Sequence, residues 1–131
     1  MKENEYNQLS KIILDAAYTV HKEMGPGLLE SIYEHCLVDE LRSRGLHAEQ
    51  QVLLPLYYKR KRLTKDFRID ILVENEIIIE IKAVEIILPI HEAQIISYLK
   101  LADMWLGLLI NFNVPLLKNG YKRFVNGYLK D

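Results

Sequence analysis

Two carboxylates and a lysine lie within one short stretch of the chain, Phe67-Arg68-Ile69-Asp70-Ile71-Leu72-Val73-Glu74-Asn75-Glu76-Ile77-Ile78-Ile79-Glu80-Ile81-Lys82-Ala83. The pattern predicts two strands, Phe67 to Val73 and Ile77 to Ala83, joined by a tight turn at Glu74-Asn75-Glu76. With the turn centred on Asn75, Ile71 faces Ile79 and Asp70 faces Glu80. Directly opposed residues of an antiparallel pair share a face, with Cβ atoms ~4.5–5.5 Å apart. Lys82 follows Glu80 by two and shares that face. Ile69, Ile71, Ile79 and Ile81 then point the other way, into a core.

Opposed like charges destabilise a sheet. A divalent cation would relieve them. Mg²⁺ suits oxygen ligands and binds one or two carboxylates while keeping several waters. A lysine ammonium beside it can orient a water or stabilise charge on a phosphate oxygen. Together these groups suit phosphodiester hydrolysis. By spacing alone, the same three residues also describe a solvated hairpin face with a surface salt bridge.

The elements that must hold these residues follow from periodicity. Leu9, Ile12, Ile13, Ala16, Ala17, Val20 and Met24 recur at helical spacing and predict a helix from about Glu5 to Met24. Gly25-Pro26-Gly27 breaks it. A second helix is expected from Leu28 to Arg44, ended by Gly45. Gln51 to Tyr58 reads as a strand and Lys59-Arg60-Lys61-Arg62 as a charged turn. After the carboxylate hairpin, Pro89 opens a helix that runs on from Ile90 to Ala102. Trp105 to Phe112 reads as a strand buried on both faces. Tyr121 to Asn126 can form a last short strand. The order is α-α-β-β-β-α-β(-β), an α/β arrangement with a small mixed sheet flanked by helices, the helix before Trp105 serving as a crossover.

The 131 residues suit a single domain spanning 1–131, with loose ends at 1–8 and 127–131. Lys plus Arg number 17 and Asp plus Glu 18, so the charges nearly cancel, which argues against coating nucleic acid by bulk electrostatics but not against a local basic groove. The lone Cys36 cannot form an internal disulfide and reads as a core residue in a reducing compartment. No apolar run approaches the ~20 residues that span a bilayer, and the start lacks a signal-peptide pattern. The expectation is a soluble, cytoplasmic protein. Lys59, Arg60, Lys61, Arg62, Lys65 and Arg68, preceded by Tyr57 and Tyr58, form a basic cluster that could hold a phosphate backbone or simply solvate a hairpin tip. Lys118, Lys122 and Arg123 could extend it. No Cys/His spacing suggests zinc, and His35 and His47 show no partner pattern.

At these residues the chain resembles the PD-(D/E)XK nuclease superfamily: Asp70 matches its aspartate and Glu80-Ile81-Lys82 its (D/E)-x-K, with Ile69 in place of proline. It is also similar to the GxxExxY protein family, through Gly27-Leu28-Leu29-Glu30-Ser31-Ile32-Tyr33 after Val20-His21-Lys22-Glu23-Met24-Gly25-Pro26. Further matches are Glu80-Ile81-Lys82-Ala83-Val84-Glu85, Pro89-Ile90-His91-Glu92-Ala93-Gln94, Tyr98-Leu99-Lys100 and Gly107-Leu108-Leu109-Ile110-Asn111-Phe112. The resemblance implies a restriction-endonuclease-like core. It implies Mg²⁺, replaceable by Mn²⁺, held by Asp70, Glu80 and the backbone carbonyl of Ile81, with Lys82 positioning the nucleophilic water. A helical glutamate often joins such sites, and Glu30 is the candidate, near its helix start where the dipole favours a carboxylate. Tyr33 shares its side of the helix. His91, Gln94 and Tyr98 fall on one stripe of the helix after the third strand. Gln94 is the candidate for contacting phosphate and His91 for shuttling a proton; His21 is a further candidate. The function expected is a Mg²⁺-dependent nuclease acting on DNA or RNA. The alternatives are a nuclease-like module that binds nucleic acid or protein without turnover, and an enzyme acting on a small phosphate compound. So short a chain could need a homodimer or a protein partner to grip substrate.

Overall fold

The helical spacing of Leu9, Ile13, Ala16, Ala17 and Val20 becomes the buried side of α1 (Glu3–Met24) in the computed structural model, which describes residues 1–129. The helix starts earlier than its apolar pattern suggests because Tyr6 is buried, packs in a tilted arrangement against Trp105 with ring centres 5.0 Å apart and donates a 2.6 Å hydrogen bond to Glu76. Residues 3–8 are therefore docked helix and not a loose end. At the other terminus Leu129 packs on the core and the Trp105 indole donates to the Gly127 carbonyl, while residues 130–131 lie outside the described residues.

Next come α2 (Glu30–Ser43), β1 (Ala48–Tyr58), β2 (Lys61–Val73), β3 (Ile77–Lys82), α3 (Pro89–Ala102), β4 (Leu106–Asn111), a 3-10 turn (Leu117–Asn119) and β5 (Tyr121–Val125). The strands lie side by side in chain order. All pairs are antiparallel except β3–β4, which the α3 crossover makes parallel. The expected order of elements is thus present, including the last strand. Their bounds differ most at β2, which begins at Lys61, and at the turn before it, which is Lys59-Arg60 alone. Both turn residues have positive φ, 49° and 67°, as a two-residue hairpin requires. Residues Lys61 to Lys65 are exposed. They therefore show no alternation of burial, and only pairing with β1 makes them strand.

The sheet is covered on both faces. Helices α1 and α2 pack on Ile71, Val73, Ile77, Ile79, Ile81, Leu106, Leu108 and Ile110, burying Tyr33, Leu37 and Leu41 with them. Helix α3 packs on Ile69, Leu72, Ile78 and Leu109 through Ile95, Tyr98 and Leu99. Ile69 thus departs from the expected set of core isoleucines and belongs to the α3 side. Gly107 lets α3 come close: a Cβ there would sit 3.0 Å from Ile95 Cδ1. Cys36 is half-buried against the larger core.

Asn111, opposite Lys82 in the ladder and 2% exposed, ties down the chain that leaves the site. Its amide donates to the Val84 carbonyl at 2.9 Å, and its carbonyl oxygen accepts from the Val84 and Asn113 amides. Asn111→Ala leaves these buried groups unpaired and is expected to lower the unfolding free energy by about 2–4 kcal/mol, read by urea denaturation.

Candidate active site

The ladder between β2 and β3 runs in the predicted register, with Val73 facing Ile77 and Ile71 facing Ile79, and stops there. Glu74 and Asn75, both at φ 54°, make the turn. Beyond Ile71 the strands part, and the Asp70 carboxylate enters the gap and accepts the Ile81 amide at 2.8 Å. The partner position of Asp70 on β1 is irregular too: Gln51 has φ 52°, and the ladder skips from Gln50–Ile71 to Val52–Ile69. This break is what moves Ile69 to the α3 side.

Glu80 lies on the α3 side of β3, 4% exposed, among aliphatic strands. Among the described residues its Oε1 has no hydrogen-bond partner. Burial first, then the adjacent Asp70 charge, pushes its carboxyl up to about 10, with a hydrogen bond from the Asp70 backbone and then Lys82 opposing. The three residues read from the sequence are therefore neighbours in space. Tyr98 of α3 joins them: burial, then the charges of Glu80 and Asp70, raise its phenol to about 12. Phe67 packs against Tyr98 in a tilted arrangement, 4.8 Å between ring centres.

The helical carboxylate beside the site is Glu34 rather than Glu30. Glu34 is buried, and its pKa is raised by desolvation and then by Asp70. Gln51 bridges the two, its amide lying 2.7 Å from Glu34 Oε1 and 3.5 Å from Asp70 Oδ1, while Gln50 donates to the other Glu34 oxygen at 3.2 Å. Glu30 is the first residue of α2, one turn away and exposed, in a shallow hollow that reaches Ala83. The only signal for Glu34 was its place one turn after Glu30 on the same side of the helix; nothing in the pattern marked Gln51.

Other candidates have structural partners. Tyr33 is fully buried, stacks on Phe112 at 4.6 Å, donates to the Gly25 carbonyl and accepts the Leu28 amide, which staples the Gly25-Pro26-Gly27 loop. His21 Nε2 sits 2.8 Å from the Val114 carbonyl and so joins α1 to the loop after β4. His91 Nδ1 accepts the Leu88 amide at 3.0 Å and caps α3. Gln94 is half-buried one turn before Tyr98 and shares its side of α3. Lys59, Arg60, Lys61, Arg62, Lys65 and Arg68 are all exposed on the β1–β2 hairpin, with Arg62 paired to Asp66 at 3.1 Å. Lys122 and Arg123 do not extend that cluster. They lie on β5 at the opposite edge of the sheet, against Glu92 and Asn7. His35 and His47 each meet a surface carboxylate, Asp39 and Glu49.

Among the described residues no group of three or more His, Cys, Asp or Glu side chains is gathered closely enough to hold a metal. Two carboxylates with water still satisfy Mg²⁺, and the unpartnered, buried Oε1 of Glu80 beside Asp70 is the kind of hard oxygen such a cation takes.

The sheet thus splits at Asp70 and carries the buried Glu80-Ile81-Lys82 on a strand paired in parallel with β4 through the α3 crossover. A family model of the PD-(D/E)XK nuclease superfamily matches residues 7–124, and the chain belongs to that superfamily. No curated protein matches. The crystal structure of SSO0001 is similar at a TM-score of 0.51 and 25% identity, over 78% of this chain and 52% of its own. The chain therefore spans about half the length of that protein.

Glu80 dictates a testable pH dependence. Folded, it keeps its proton to about pH 10; unfolded, it releases it near 4.5. The folded chain then binds more protons in that window, so this contribution is fully present below 4.5 and falls by up to about 1.4 kcal/mol per pH unit above it. Glu80→Gln, which stays neutral, is expected to flatten the slope in urea denaturation with EDTA present. Equal slopes for the two proteins would mean that Glu80 is ionised in the folded state.

Proposed function

We propose that this chain is a Mg²⁺-dependent phosphodiesterase acting on nucleic acid, with Asp70 and Glu80 as the metal ligands and Lys82 as the assisting base or charge stabiliser. The observation that carries this reading is the buried Glu80 oxygen without a partner beside Asp70, on a face shared with Lys82. The Ile81 carbonyl would complete the protein ligands. When bound, the cation would lower the pKa of an attacking water and offset negative charge on the phosphate.

The side chains divide the remaining work. Lys82 holds a water or a phosphate oxygen by charge-assisted hydrogen bonds. Asp70, anchored by the Ile81 amide, is fixed in place before substrate arrives. Glu34 and Gln51 support Asp70 from the α2 side, and Gln94 and Tyr98 line the α3 side. The cations of the β1–β2 hairpin contact the phosphate backbone outside the cleft.

One observation favours a module that binds without turnover: a Glu80 proton held to about pH 10 lets the carboxylate pair persist without any cation. Calorimetry decides between the readings. Mg²⁺ or Mn²⁺ is expected to bind wild type, to release a proton as it does so, and hence to bind more tightly as pH rises. Asp70→Ala and Glu80→Ala abolish both binding and cleavage. Lys82→Ala keeps the metal and loses roughly 10²–10³ in kcat. No metal binding by wild type, even with nucleic acid present, would leave the binding module as the better account.

A further inference from the structure

Three carboxyl groups follow one another across the site, and hydrogen-bond donors are shared among them unequally. Glu34 is buried and has both oxygens taken: Oε1 accepts the Gln51 amide at 2.7 Å and Oε2 the Gln50 amide at 3.2 Å. Asp70 Oδ2 accepts the Ile81 amide at 2.8 Å, and Oδ1 faces the same Gln51 nitrogen at 3.5 Å. Glu80 is the exception, because among the described residues its buried Oε1 has no partner. The demand for a cation is therefore concentrated at the Glu80 end. At the Glu34 end neutral amides meet it. A primary amide carries two N–H donors, so one Gln51 nitrogen serves Glu34 and Asp70 together without a charge of its own. The Gln51 backbone is bent to do this. Its φ is 52°, where the β1 ladder skips a pair. Glycine adopts that left-handed conformation freely, whereas for glutamine it is strained. Gln51 is exposed, and its side-chain hydrogen bonds run to the two carboxylates.

From this unequal sharing we infer that Gln51 fixes the metal count of the centre at one. Its amide fills, as a neutral donor, the gap between Glu34 and Asp70 that a second cation would have to enter. The Asp70 and Glu80 side is left for a single ion. In two-metal phosphodiesterase sites the ions lie about 3.5–4 Å apart and stabilise the attacking and the leaving oxygen between them. With a single ion, one of those oxygens falls to a protein cation, and Lys82 is the cation beside the carboxylates. Gln51 is thus a positioning residue that acts through Glu34 and Asp70. The inference rests on the metal-dependent reading of the site and adds the number of ions to it.

The test counts Mn²⁺ bound per chain by calorimetry and reads the electron paramagnetic resonance spectrum of the bound ions, so no cleavage is needed. Wild type is expected to bind one ion, with the spectrum of isolated Mn²⁺. Gln51→Gly suits the left-handed backbone and removes the amide. It is expected to double the count, with the broadened spectrum of two spin-coupled neighbours. Gln51→Glu keeps the length of the side chain and turns the amide into an oxygen ligand. It is expected to do the same, and it carries the test should the glycine variant not fold. Adding Glu34→Gln to Gln51→Gly is expected to return the count to one. Two coupled ions in wild type would overturn the inference and leave the nuclease reading standing. So would a single ion in every folded Gln51 variant, or a second ion that is not coupled to the first. No ion bound to wild type would remove the inference and the metal-dependent reading together.

Discussion

A carboxyl group in the middle of an aliphatic sheet has few ways to be tolerated. Glu80 has Ile79 and Ile81 beside it and Leu109 across the parallel ladder, and it is nearly inaccessible to water. Charged, it would bear a desolvation cost that the Asp70 backbone hydrogen bond and the Lys82 charge offset only in part. It must therefore keep its proton or acquire a cation. Much of the local architecture follows from holding that choice open. The β2–β3 ladder ends early, so Asp70 can enter from the side. The Ile81 amide freed by the split is satisfied by Asp70, and Asn111 fastens the chain just past Lys82.

The flanking cores make this tenable. The larger one, under α1 and α2, and the smaller one, under α3, clamp the sheet from both sides. The same clamp explains the tyrosines. Tyr33 uses its hydroxyl to close a loop, whereas Tyr98 packs under α3 near enough to Glu80 and Asp70 for their charges to raise its phenol.

Where a residue's environment repeats along the chain, the sequence announced it. The helices, the order of strands and the Ile71–Ile79 register next to Asp70 and Glu80 follow from periodicity and one turn. What stayed hidden depends on a break in that regularity or on an approach from a distant element. The register sets Gln51 opposite Asp70, but its backbone there is left-handed and the ladder pair is missing, a break its residue type does not advertise. Glu34 meets Asp70 through that same kink, so a motif-based choice fell on Glu30, one turn too early. The outer half of β2 was invisible because both of its faces are wet. Tyr6 looked like part of a polar tail until Trp105 and Glu76, far along the chain, came to it.

Strand β1 is an outer edge of the sheet, with one side of its backbone free of any strand partner. Long exposed edges recruit other chains into intermolecular sheets. This one is poorly suited to that. Gln51 kinks it near the root, Pro55 withholds an amide, the register slips between Pro55 and Tyr57, and the tip beyond carries a cluster of like charges. The distortions that shape the surroundings of Asp70 thus also act as a guard against aggregation. Straightening β1 to make a more regular hairpin would trade colloidal safety for local order.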